Sequence, residues 1–110
     1  MEIIKSQNAT SKKDIYNLTR SPEIRKMSDN VGTQIAVDKY VIYSDVNSTG
    51  SETEILSIQD KDGTVYATNS KTARGEFEYI TDLMEEEPFT VKVVKGTSKN
   101  GREYVTLVLV

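Results

Sequence analysis

The chain of 110 residues contains no cysteine, no histidine and no tryptophan. Without cysteine there is no disulfide framework and no thiolate nucleophile. Zinc sites built from Cys and His are excluded. A Ser-His-Asp triad and any imidazole general base go with them. Long apolar runs are also missing, since none approaches the ~18 residues that cross a bilayer. The opening residues MEIIKSQNATSKK lack the apolar stretch of a secretory signal. The expectation is therefore one soluble, cytoplasmic domain with no membrane association. An enzyme made from this set would depend on carboxylates, Lys, Tyr or bound magnesium. No nucleophile–base pair is visible, and Asp60-Lys61-Asp62-Gly63 is too short for a calcium loop. No catalytic residue, metal or cofactor is expected.

Acidic side chains slightly outnumber basic ones, for a net charge of −3. That balance argues against bulk electrostatic attraction to nucleic acid, but a local basic face depends on arrangement. Most acids of the last third lie between Glu76 and Glu87. Lys92, Lys95, Lys99 and Arg102 then follow without an intervening acid.

Local patterns divide the chain into elements. Residues 1–10 suit a short strand or an ordered arm. Ser11 with Asp14 three residues later resembles a capping box, predicting a helix from Lys12 to about Leu18. Ser21-Pro22 is a second start signal, because proline loses nothing at the first helical position. With Ile24 and Met27 spaced i,i+3, it predicts a helix to about Ser28. From Gln34 to Val46 the chain is rich in β-branched and aromatic residues. Ile35, Val37, Val41 and Tyr43 share one parity while Tyr40 and Ile42 take the other, so this strand is bent or covered on both faces.

Strands are also expected over residues 52–59 and 64–68, joined by a turn in which Gly63 supplies positive φ. Asn69 or Ser70 caps a helix whose stripe is Ala73, Phe77, Ile80, Leu83 and Met84. A final hairpin spans residues 89–96 and 102–110, with Asn100-Gly101 in its turn.

The order β-β-β-α-β-β matches a five-stranded OB-fold-like barrel, mainly β, with the helix between its third and fourth strands. Residues 1–33 read as a short helical N-terminal extension and 34–110 as the OB-fold-like domain, together one structural unit. The alternative is an open α+β sheet with one packed helix.

The segments GTVYATNSKTARGEF and VKGTSKNGREYVTLVLV resemble small single-stranded DNA-binding proteins of bacteriophages that infect Gram-positive bacteria. The resemblance covers roughly residues 15–110. It implies a non-catalytic protein that coats single-stranded DNA without sequence preference during phage DNA replication or recombination, in the host cytoplasm. The last residues read as an apolar strand, so recruitment of partners through an acidic tail, as in many cellular single-strand binders, is not expected.

Such binding needs cations for phosphates and flat rings for bases. The ring candidates are Tyr40, Tyr43, Tyr66 and Tyr104. Tyr66 lies on the parity opposite Val65 and Ala67, and Tyr104 opposite Val105 and Leu107. The plainer alternative is packing at a sheet surface with wet hydroxyls. Tyr16 and Tyr79 read as packing residues on helices. The cation candidates are Lys92, Lys95, Lys99 and Arg102 on the last hairpin, Lys39 on the long strand, and Lys71 and Arg74 at the helix start. Strand lysines can instead guard an edge against aggregation. The TNSK segment, residues 68–71, suits either an anion site or a plain helix cap.

Partners expected on this reading are single-stranded DNA and replication proteins, and the sequence leaves a homo-oligomer open. The competing reading is a small phage protein that binds and inhibits or adapts a host protein, motivated by the acidic segment 45–62.

Overall fold

The structure is a computed structural model that describes residues 1–110. Strand β1 (Glu2–Gln7) leads into helix α1 (Lys12–Thr19). The capping box read from Ser11 and Asp14 is formed. Ser11 Oγ accepts the Asp14 N–H at 3.0 Å, and the Asp14 carboxylate accepts the N–H groups of Thr10 and Ser11 at 3.3 Å each. Lys39 Nζ also donates to Asp14, at 3.2 Å. These contacts, the Lys39 bond foremost, hold the Asp14 carboxyl below its ordinary range.

The second expected helix is absent. Residues 21–26 form a turn and a two-residue strand, β2 (Arg25–Lys26), followed by a single 3₁₀ turn at Met27–Asp29. Ser21 Oγ does accept a nearby N–H, from Glu23 at 3.2 Å, but no helix grows from it. The apolar pair explains why. Ile24 packs with one apolar cluster and Met27 is buried in the other, on opposite sides of the sheet. One helical face cannot serve two clusters that point apart.

The long strand is β3 (Gln34–Val46), and β4 (Glu52–Asp60) and β5 (Val65–Thr68) follow it as an antiparallel meander. Gly63 takes φ 95° in the β4–β5 turn, the left-handed conformation expected of it. β3 is both bent and covered on both faces. Its pairing with β4 shifts register between Val37 and Lys39. Such an insertion moves the following side chains to the other face. Ile35 and Val37 therefore join the main core before the shift, whereas Tyr40 and Ile42 join it afterwards. Asn8 Nδ2 donates to the Asp38 carbonyl inside the bulge at 2.9 Å. Beyond the bulge the outer face carries Val41 and Tyr43, which pack with Leu18 of α1 and Val65.

Helix α2 (Lys71–Met84) follows, then β6 (Thr90–Thr97) and β7 (Glu103–Leu109). Ser70 is the N-cap, as one of the two capping candidates, and accepts the Ala73 N–H at 3.2 Å. Ala73, Phe77 and Ile80 bury the expected stripe in the main core, while Leu83 remains 60% exposed. The sheet order is β2-β5-β4-β3-β6-β7, with β1 paired to β3. β2 runs parallel to β5 and the other pairs are antiparallel. Residues 1–33 thus add two strands to the sheet besides one helix. The result is an α+β fold of mostly strands, a curled mixed half-barrel. The end strands β2 and β7 are joined by no ladder, so the sheet has an open seam. No helix is long and apolar enough to cross a membrane.

Candidate nucleic-acid interface

The seam is where the polar chemistry collects. α2 starts directly after β5, so its first turn lies beside the gap. Ser70 Oγ donates to the Val105 carbonyl of β7 at 2.6 Å, so one hydroxyl caps the helix and bridges the unpaired strands. A cleft of about 860 Å³ opens around this bridge. One wall holds Lys26, Ser28 and Val31, the floor runs from Ala67 to Thr72, and the far wall holds Lys95, Glu103, Tyr104 and Val105. Three ammonium groups thus face one carboxylate.

Lys95 pairs with Glu103 at 2.8 Å, with both side chains more than half exposed. A pair so exposed is worth at most about 1 kcal/mol, and a phosphate can displace its carboxylate. Lys26 and Lys71 have no carboxylate partner. The hydroxyls of Ser28, Thr68 and Thr72 and the amide of Asn69 add neutral hydrogen-bonding groups. A cleft of this composition suits an extended anion with polar and apolar parts.

The expected site residues divide among several places. Lys71, Lys95 and Tyr104 all line the cleft, Tyr104 from the face of the hairpin opposite Lys95 and Val105. Lys99 and Arg102 are exposed at the β6–β7 turn, whose backbone closes through Ser98 N–H to the Arg102 carbonyl at 2.8 Å. Lys92 sits on the face of β6 opposite Val91 and Val93, across from Gln34 and Val108. Lys39 is held by Asp14 and is not among the residues that line the cleft. Arg74 pairs with Glu54 at 3.1 Å beside a second, acidic cleft that includes Glu2 and Glu52.

Three of the four rings are not open surfaces, which corrects the expectation for Tyr40, Tyr43 and Tyr66. They are 3%, 5% and 8% exposed. Tyr40 meets the Phe77 ring edge-on, with centroids 4.8 Å apart. Tyr66 does alternate with Val65, but both directions are covered: Tyr66 points into the main core and Val65 into the cluster under α1. Burial, more than the nearby Asp45 carboxylate, pushes the Tyr43 phenol upward in pKa. Tyr104 keeps the expected orientation, opposite the core-facing Val105 and Leu107, and is half-buried. Tyr16 and Tyr79, expected to pack, are instead 53% and 66% exposed.

The helix expected after Ser21 gives Lys26 no direction, whereas the observed strand does. Its pairing with Ala67, parallel to β5, turns it to the seam. A two-residue parallel strand has no pattern to read in advance. The acids of the β4–β5 turn serve the backbone: Asp60 accepts the Ala36 and Asp62 N–H groups at 2.9 Å each, and Asp62 accepts that of Thr64 at 2.8 Å. No group of three potential ligands gathers for a metal ion.

A sheet curled around a cationic cleft defines a binding module. The chain belongs to the phage single-stranded DNA-binding protein family, whose profile matches residues 2–110. It is similar to the single-stranded DNA-binding proteins of Bacillus phage PZA and Bacillus phage phi29. Identity to each is 34% over 77 residues, covering 67% of this chain and 62% of the relative. The matched stretch thus spans less than two thirds of those relatives. No solved structure matches the chain.

Proposed function

We propose that this protein binds single-stranded DNA without catalysis or sequence preference, in phage DNA replication or recombination within the host cytoplasm. The observation that carries the reading is the seam cleft. Lys26 and Lys71 stand there without carboxylate partners, Lys95 is held only by an exposed pair, and Tyr104 lines the same cleft. The lysines neutralise phosphates, and the Tyr104 ring stacks a base. Each stacked base contributes on the order of 1–3 kcal/mol. Lys99 and Arg102 extend the cationic track along the last hairpin.

The strand order supports an OB-like ancestry for the half-barrel. β3, β4 and β5 stand as the first three strands and β6 and β7 as the last two, with α2 between the groups. In this reading the gap between the end strands β2 and β7 leaves room for the nucleic acid.

Fluorescence anisotropy with labelled oligo-dT tests the reading. Binding at micromolar protein in low salt, with similar affinity for mixed sequences, is the expected result. No binding under those conditions would overturn it.

A further inference from the structure

Gly96 differs from the other five glycines. A Cβ built at Gly32, Gly50, Gly63, Gly75 or Gly101 meets nothing within 4 Å. A Cβ built at Gly96 falls 2.6 Å from both Cε2 and Oη of Tyr104, deep inside van der Waals contact. Gly96 lies within β6 and has no positive φ, so its backbone does not require glycine. A glycine inside a strand normally weakens it, and a close approach by another group is the usual reason for one. Here the approaching group is a ring. Gly96 and Tyr104 are register partners across the β6–β7 hairpin, and the phenol leans over the bare Cα.

The ring is otherwise free. Tyr104 belongs to neither apolar cluster, has no aromatic partner and makes no hydrogen bond through its hydroxyl. One ring face is backed by the Gly96 backbone and the residue, partly buried, lines the cleft margin. A ring supported from behind loses little freedom when a base lands on its front, and such preorganisation raises affinity.

We infer that Gly96 is a positioning residue for DNA binding: its missing side chain seats the Tyr104 ring in the pose that stacks a base. The inference rests on the proposed function. Gly96 acts only through Tyr104, so the two positions must be coupled.

The test uses the full chain and oligo-dT in low salt. The variants are Gly96→Ala, Tyr104→Ala and the double change Gly96→Ala with Tyr104→Ala. Circular dichroism on heating checks that each folds. Tyr104→Ala and Gly96→Ala should each weaken binding about tenfold, the scale of one stacked base. The double variant should be no weaker than Tyr104→Ala alone.

Gly96→Ala binding at full strength while Tyr104→Ala is impaired would overturn the inference and leave the proposed function standing. Losses that multiply in the double variant would overturn it too. Full-strength binding by Tyr104→Ala would remove the stacking role on which both depend. NMR of the unmodified protein supplies a readout that needs no variant. The Gly96 Hα protons should carry a ring-current shift that persists when oligo-dT perturbs the Tyr104 resonances. Loss of that shift on binding would show the ring leaving its seat and overturn the inference.

Discussion

The Ser70 hydroxyl donates to the Val105 carbonyl at 2.6 Å and accepts the Ala73 N–H at 3.2 Å. It starts α2 and ties that start to β7 across a seam that no ladder closes. Ser70→Ala removes both bonds. An N-cap loss costs about 1 kcal/mol, and leaving the Val105 carbonyl unpaired adds a similar amount. Chemical denaturation should show a loss of about 2 kcal/mol, with Ser70→Thr recovering most of it.

Tyr40 is a core residue. Its ring packs edge-on against Phe77 under α2. Tyr40→Ala should cost about 3–5 kcal/mol, as aromatic truncations in cores do. Tyr40→Phe should fold and bind oligo-dT normally. Denaturation and anisotropy on the pair check this, and impaired binding by a stable Tyr40→Phe protein would contradict the placement.

Asp14 links the α1 cap to Lys39 on β3. Its folded pKa lies below the unfolded one, mainly through the Lys39 bond. The folded state therefore binds the proton more weakly, and stability falls as pH drops from about 4 through the folded pKa. Asp14→Asn should flatten that part of the stability–pH curve while lowering stability at neutral pH. Urea midpoints between pH 2.5 and 7 check both.

Lys39→Gln should likewise lower stability without changing the salt dependence of DNA binding, because the Lys39 ammonium is already held by Asp14. Parallel denaturation and salt-titration series separate the two effects.

Local signals in the sequence suffice where one residue acts on its neighbours. The Ser11–Asp14 box, the Ser70 cap and the Gly63 turn each work through hydrogen bonds or dihedrals within a few residues. Ser21-Pro22 was such a signal too, yet it failed. Ile24 and Met27 are drawn into opposite clusters, and that competition lies outside the segment. The tyrosines show the same limit. Alternation places Tyr66 opposite Val65, but it cannot say that α1 covers the second face. The bulge between Val37 and Lys39 decides where Tyr40 points, and it arises from pairing with β4. The cleft itself needs β2 alongside β5, a contact between residues about forty positions apart.

The salt dependence of oligo-dT affinity tests the central claim most directly, measured for the unmodified protein and for Lys26→Gln with Lys71→Gln. Each phosphate contact on a single strand contributes a slope of about −0.7 in log affinity against log salt. Removing two contacts should make the slope shallower by about 1.4 and weaken binding in low salt, with the fold intact. An unchanged slope and affinity in the double variant would contradict the assignment of the cleft as the DNA site.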